Sequence, residues 1–163
     1  MQELKLAQLY QRLLKTEGQG GPLLGLDVGT KYMGVAVSDR NCRVASPHSL
    51  IERKTSSSHQ AILNLEKVAK DLSIVGFVIG YPIKLIGYQG KQFVREMHIS
   101  GKFADLCYIY WDERLTTKAV ENAIGFLKVD RRQHKRIVDK LSALCILQGC
   151  LDGLAKMSRV VEM

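Results

Sequence analysis

The stretch Ile74-Val75-Gly76-Phe77-Val78-Ile79, closed by Gly80-Tyr81-Pro82, constrains the fold more than any other segment. It is a nearly unbroken apolar run without the alternation of a half-exposed strand. Six residues are far short of the ~20 that cross a bilayer. The run therefore reads as a central strand buried on both faces. Such a strand needs a layer of cover on each side, and the rest of the chain supplies it. Ser56 to Leu72 carries Ala61, Ile62, Leu65, Val68, Ala69 and Leu72 at helical spacing, with Ser56, Ser57 and Ser58 as cap candidates. Lys91 to Phe103 reads as a second helix that Gly101 ends, Thr116 to Leu127 as a short one, and Ile137 to Met157 as the last. Strands are expected at Leu23 to Val28, Tyr32 to Ser38, Arg43 to Ile51 (interrupted near Pro47) and Leu106 to Trp111. The turn Gly29-Thr30-Lys31 is short enough for an antiparallel hairpin. Gly87 to Gly90 reads as a mobile loop, and Lys128 to Lys135 as a polar, basic one. The order β-β-β-α-β-α-β-α-α makes this an α/β chain with a mixed sheet covered by helices.

Ahead of this body lies Met1 to Lys15, with apolar residues at 4, 7, 10, 13 and 14. That spacing is an amphipathic helix rather than a secretory signal. The breaker cluster Gly18-Gln19-Gly20-Gly21-Pro22 sets it apart. Residues 1–20 are thus expected to be a helical extension, and 21–163 the main domain. A chain of 163 residues suits one such domain and leaves no room for a two-lobed kinase or ATPase. Walker A and GxGxxG patterns are absent. Cysteines 42, 107, 145 and 150 form no CxxC pair or zinc spacing. They suit a reducing compartment. The expected location is intracellular and soluble, with the cytoplasm favoured over nucleus or organelle. The 24 Lys and Arg against 16 Asp and Glu leave a net charge of +8. An excess of that size favours a polyanionic partner, nucleic acid or an anionic membrane surface, against the alternative that it serves solubility alone.

Four acids are placed where chemistry is plausible on physical grounds. Asp27 closes the first strand two residues before Gly29, where backbone can approach a phosphate or a cation closely. It reads either as an ordinary turn residue or as a ligand for Mg²⁺ or Mn²⁺. Asp112 and Glu113 close the last strand. If that strand runs parallel to the first, all three acids reach one edge of the sheet. Alternation puts Asp112 and Glu113 on opposite faces, so one of them points at Asp27. Their alternative role is to complement the dipole of the helix that follows. Asp139 is expected to open the last helix, either as an N-terminal acid in local salt bridges or as a further metal ligand. Acids gathered from distant parts of a chain repel one another unless cations neutralise them. Two divalent ions would do so, and would suit phosphodiester cleavage. Around the acids lie Lys31, Arg114, and the cluster Lys128, Arg131, Arg132, His134, Lys135 and Arg136. Clustered cations of this kind supply the salt-dependent part of nucleic-acid binding. Tyr81, Tyr88 and Phe93 are either packing residues or platforms for base stacking.

At these residues the chain resembles the YqgF (RuvX-like) Holliday junction resolvase family. Leu26-Asp27-Val28-Gly29-Thr30-Lys31, with Gly34-Val35-Ala36 after it, looks like the family's first motif. Val78-Ile79-Gly80-Tyr81-Pro82-Ile83 resembles the second, with Tyr81 where Leu is usual. Trp111-Asp112-Glu113-Arg114-Leu115-Thr116-Thr117 resembles the third. Lys135-Arg136-Ile137-Val138-Asp139, followed by Ser142-Ala143 and Ile146-Leu147-Gln148, resembles the last. The match runs from about Leu23 to Asp152. It implies an RNase H-like fold, a five-stranded mixed sheet of order 3-2-1-4-5 flanked by helices. It also implies a metal-dependent nuclease, using Mg²⁺ or Mn²⁺, that acts on structured nucleic acid. Its favoured role would be maturation of the 5′ end of pre-16S ribosomal RNA, with four-way DNA junctions as the alternative substrate. Carried over by motif position, Asp27, Glu113 and Asp139 form the acidic triad, with Asp112 a substitute for Glu113. RNA is favoured over DNA as partner, no membrane is involved, and a homodimer is left open. A fold retained without catalysis is the competing reading. So is a sugar-kinase or actin-like ATPase, whose phosphate motif Asp27-Val28-Gly29-Thr30 also resembles.

Overall fold

The computed structural model describes residues 1–16, 20–54, 57–81, 88–112 and 130–161. Its strands are β1 (Gln2–Glu3), β2 (Leu23–Val28), β3 (Tyr32–Ser38), β4 (Ala45–Glu52), β5 (Gly76–Tyr81) and β6 (Cys107–Asp112). Its helices are α1 (Leu6–Lys15), α2 (His59–Asp71), α3 (Tyr88–Ser100) and α4 (Arg131–Val161). The apolar run becomes β5 two residues later than expected: Ile74 and Val75 precede the strand, and Gly80 and Tyr81, expected to close it, belong to it. It is buried on both sides as expected. Phe77 and Ile79 join one core, and Val78 joins the other.

The strands form one sheet of order β1-β6-β5-β2-β3-β4. The five expected strands take the expected order, with β2, β5 and β6 parallel and β2-β3-β4 antiparallel. The difference is a sixth strand. Gln2 and Glu3 pair in parallel with Cys107 and Tyr108 and extend the β6 edge. Two residues are too short to show any period, so a single helix from Met1 was the reading available. The apolar stripe of α1 also shifts. Leu4 and Leu9 are buried, whereas Leu14 is 54% exposed. Pro47 does break the register of β4, which slips between Val35 and Ala36 of β3 so that His48 is bypassed.

One face of the sheet is covered by α2 and α3, through Ala61, Leu65, Phe93 and Met97 against Leu24, Leu26, Met33, Val35, Phe77 and Ile79. The other is covered by α4 and α1, through Ala143, Ile146, Leu147, Leu151 and Leu9 against Leu23, Ala36, Val78 and Ile109. Helix α4 crosses this face at backbone contact. A Cβ on Gly25 would lie 2.6 Å from the Cβ of Leu147, and one on Gly34 would lie 2.1 Å from the carbonyl oxygen of Asp139. Trp111, on the same face of β6, lies against Gly149 of α4, whose missing side chain makes room for the indole.

Two helix starts differ from expectation. Helix α3 begins at Tyr88, so the expected loop at Gly87 to Gly90 is largely its first turn. Helix α4 begins at Arg131, so most of the expected basic loop is helical. The cause is Asp130, whose carboxylate accepts hydrogen bonds from the backbone N–H of Arg132 (2.8 Å) and Gln133 (2.9 Å). The expected helix at Thr116 to Leu127 lies outside the described residues. At its end, α3 stops as expected, where Gly101 takes a φ of +67°.

Candidate active site at the carboxyl edge of the sheet

Because β2, β5 and β6 are parallel, Asp27, Tyr81 and Asp112 all reach the same edge. Asp27 lies directly across from Gly34 of β3. Its neighbours fix the face it occupies. Leu24 and Leu26 point into the α2–α3 core, whereas Leu23 and Gly25 meet α4. Alternation therefore gives Asp27 to the α4 side. At Gly34 α4 lies at backbone contact with the sheet, through Asp139. Asp27 and Asp139 thus flank the same glycine on the same side of the sheet.

Asp139 does not open its helix. It sits more than two turns inside α4, which starts at Arg131. The dipole argument, which fades within the first turn, does not account for it. Burial pushes the Asp139 carboxyl above the usual aspartate value, and the positive charge of Lys135 partly offsets the rise. A carboxylate half-withdrawn from water destabilises the folded chain. The sign follows from linkage. Below the ordinary value of 3.8 the group is protonated folded or unfolded, and it costs nothing. As the pH rises through the raised folded value, the folded state alone carries a poorly solvated charge. Asp139→Asn is therefore expected to raise Tm at neutral pH, with the gain shrinking to nothing in acid. Thermal melts across pH check this, and a gain independent of pH would contradict it.

Asp112 is exposed at the end of β6. It follows Tyr108 and Tyr110 on the α2–α3 side, while Ile109 and Trp111 face α4. The structure thus gives Asp112 the face opposite Asp27. Glu113 and Arg114, like Lys128, lie outside the described residues. Among the described residues no three His, Cys, Asp or Glu side chains come together as a metal cage. What is present is a pair of possible oxygen donors. Asp27 of β2 and Asp139 of α4 are both brought to Gly34 on the same side of the sheet, the second with its acid form favoured by burial. Hard divalent cations prefer such donors, and a cation there would relieve the burial cost.

The cations fall where expected. Lys31 is exposed in the β2–β3 turn, and Arg131, Arg132, Lys135 and Arg136 are exposed on the first turns of α4. The first turn of α4 holds no acid. Arg131 and Arg132, in the first turn, lie at the positive end of the helix dipole, which is unfavourable by itself. A bound anion would offset that cost. Phe93 is not a stacking platform. It is fully buried, with the Arg53 guanidinium 5.0 Å above its ring. Tyr81 tilts against Tyr110 at 5.6 Å, and the Lys91 ammonium lies over its ring at 5.1 Å.

Sequence reasoning missed Arg53. Its Nη1 donates to the carbonyl of Gly29 at 2.5 Å, and its backbone N–H donates to the carbonyl of Lys31 at 2.7 Å. It clamps the turn that follows Asp27. Burial lowers its pKa, and the charge of Glu96 pulls it back. An arginine just past a strand carries no signal of this contact, which depends on β4 returning beside the turn.

Residues 21–153 match the family model RuvX, described as Holliday junction resolvase. The chain belongs to the RuvX family. The four motifs had implied as much. Among its relatives, a protein of Nitrobacter hamburgensis named "Putative pre-16S rRNA nuclease" is 38% identical, over 85% of this chain and 86% of its own. One of the same name from Agrobacterium fabrum is 36% identical, over 99% of this chain and all of its own. Among solved structures, the RuvC of T. thermophilus in complex with a Holliday junction superposes with a TM-score of 0.54 at 12% identity, covering 85% of this chain and 96% of that one. The resolvase of Fowlpox virus gives 0.52 at 8% identity, over 82% and 98%. These two establish the RuvC-like fold of this RuvX chain and nothing finer.

Proposed function

We propose that this RuvX chain is a divalent-metal-dependent endonuclease acting on structured RNA, with the 5′ end of pre-16S rRNA as its substrate. The observation that carries the reading is the placing of Asp27 and Asp139 at Gly34 on one side of the sheet, beside a row of exposed cations at the start of α4. The relatives' name supports the choice of RNA. Asp27 and Asp139, with Glu113, would hold Mg²⁺ or Mn²⁺. Glu113 is preferred to Asp112 because Asp112 shares the face of Tyr110, away from Asp27. When bound, the cation supplies Lewis-acid stabilisation for the negative charge that builds on the phosphoryl and leaving oxygens. The chain's own contributions are the rest. The Arg53 clamp on Gly29 holds the turn that follows Asp27. Lys31, Arg114, Arg131, Arg132, Lys135 and Arg136 neutralise the phosphates on either side of the cut. Among the described residues no helix is long and apolar enough to cross a membrane, and the site needs none.

The test is cleavage of end-labelled pre-16S leader RNA, unstructured RNA and four-way DNA junctions, with Mg²⁺, with Mn²⁺ and with chelator. Metal-dependent cutting of the leader RNA is expected. Junction cutting in its place would move the substrate to DNA. Binding without cutting of any substrate would make the chain a binding module. The cations make a separate prediction. Each phosphate neutralised contributes roughly 0.7–0.9 to the slope of log K against log salt. Arg131→Ala with Lys135→Ala is expected to lower that slope by about 1.5, as read by filter binding at several salt concentrations. An unchanged slope would remove the start of α4 from the interface.

A further inference from the structure

Beside the acid pair, on the outer side of β3, lies an open cleft of about 410 Å³ between the sheet and α4. Its walls are Tyr32, Leu50, Glu52, Arg136, Ile137 and Lys140. Tyr32 and Glu52 are direct partners across the β3–β4 pair, so their side chains stand together on one face. That face is the α4 side, since Met33 and Ile51 point into the opposite core. Arg136 leans over the Tyr32 ring at 5.7 Å. Lys140 follows one turn later on α4, next to Asp139. The charges in the cleft do not satisfy each other. The salt bridges among the described residues join Glu66 to Lys70 and Lys102, and Glu52 is in none. A carboxylate, two cations and an aromatic face thus line one cleft, two residues along β3 from the glycine that Asp27 and Asp139 flank.

We infer that this cleft binds an unpaired guanine base of the substrate, next to the bond that is cut. The inference rests on the nucleic-acid reading given above for the acid pair. The chemistry selects the base. Guanine presents N1–H and N2–H side by side, a donor pair that matches the two oxygens of a carboxylate. Its O6 and N7 are acceptors, suited to Arg or Lys. Adenine and cytosine each turn a ring-nitrogen lone pair toward a carboxylate placed on that edge, which is repulsive. Uracil has one N–H there, between two carbonyls. Tyr32 and the planar guanidinium of Arg136 give the base a surface to stack on. The edge that Glu52 reads is consumed in a Watson–Crick pair, so the site takes a base from a loop, bulge or strand end. That confers a preference for irregular RNA over a continuous duplex.

The experiment has two arms. In the first, amide chemical shifts of the full chain are followed by NMR while the RNA dinucleotides GpU, IpU and ApU are added. All carry the same phosphate, and inosine lacks only the N2 amino group. The expected result is shifts centred on Tyr32, Leu50, Glu52 and Ile137, with GpU binding about tenfold tighter than ApU and IpU between them. Glu52→Gln, an exposed substitution of equal size, is expected to bring GpU and ApU within about twofold. Equal affinities in the wild type, shifts elsewhere, or a guanine preference that survives Glu52→Gln would each overturn the inference. In the second arm, cut positions are mapped in an RNA pool randomised in a single-stranded region. Guanine is expected at one fixed position beside the cut in wild type, and its enrichment is expected to vanish with Glu52→Gln. GpU bound in the cleft by a chain that cuts nothing would sink the nuclease reading and leave the guanine site standing. Cutting with no guanine preference would do the reverse.

Discussion

Asp27→Asn is expected to lower phosphodiester cleavage at least about a thousandfold while leaving the melting temperature and substrate affinity near wild type. The substitution keeps size and shape, so the packing of β2 against β3 and α4 is not disturbed. It removes one unit of negative charge from the edge where β2, β5 and β6 end. Charge stabilisation by a cation at a reacting phosphate is worth several kcal/mol, and each ~1.4 kcal/mol is a factor of ten in rate. Affinity, by contrast, is carried by cations this change does not touch. Lys31 is exposed in the neighbouring turn, and Arg131, Arg132, Lys135 and Arg136 are exposed on α4. The slope of log K against log salt should therefore be the same for the two proteins. Single-turnover cleavage and salt titration, run side by side, separate the two quantities. A mutant that cuts within tenfold of wild type would remove Asp27 from the reacting groups. One that loses binding in step with cutting would mean that its carboxylate shapes the turn rather than the chemistry.

The edge that gathers the acids was legible in the sequence because it follows from direction and alternation. A run such as Ile74 to Ile79 reads as a central strand, and the hairpin at Gly29-Thr30-Lys31 fixes β3 beside β2. With β2, β5 and β6 parallel, the strand-end acids must reach the same edge. Alternation puts Asp112 and Glu113 on opposite faces but does not say which one faces Asp27; in the structure Asp112 takes the face opposite Asp27. What escaped was whatever depends on a third dimension or on too few residues. The strand Gln2–Glu3 has no period to detect. The start of α4 was hidden because Arg131 to Lys135 is polar all round. The signal was Asp130, an Asp followed three residues later by Gln133, which is a helix-start pattern. Misplacing that start also made Asp139 look like a dipole partner. The Arg53 clamp and the pairing of Tyr32 with Glu52 depend on the register of β3 and β4, which slips by a residue near Pro47. No spacing in the sequence reports that slip's size. Glycines 25 and 34 were more informative than they looked. A glycine inside a strand marks a place where another backbone comes close, and both lie under α4.

Gly34→Ala tests that last point, and a loss of about 3 kcal/mol in stability is expected, at the upper end of what overpacking costs. The new Cβ would sit 2.1 Å from the carbonyl oxygen of Asp139 and 3.2 Å from the Cβ of Ala143. A flexible side chain could move aside from such a contact, but a helix backbone cannot move alone. Helix α4 is held along its length. Gly25 meets Ala143 and Leu147, Trp111 lies on Gly149, and Ile146, Leu147 and Leu151 are fully buried. Relief therefore requires lifting the first turns of α4 from β3, where the packing is thinner and Val138 forms only a small cluster with Ile137, Leu141 and Cys145. That is the part of the helix that carries Asp139 and the cations. The same methyl group should thus lower activity by more than the unfolded fraction explains, because it separates Asp139 from Asp27 in the molecules that remain folded. Urea melts give the stability, and cleavage at a temperature where the mutant is fully folded gives the second quantity. Activity that tracks the folded fraction alone would show that the spacing across Gly34 matters to packing and not to chemistry. Gly101→Ala is the control for an added methyl group. It has open space around its Cβ position, and its cost comes from a φ of +67° rather than from contact. It should lose about 1 kcal/mol or more of stability with no loss of activity per folded molecule.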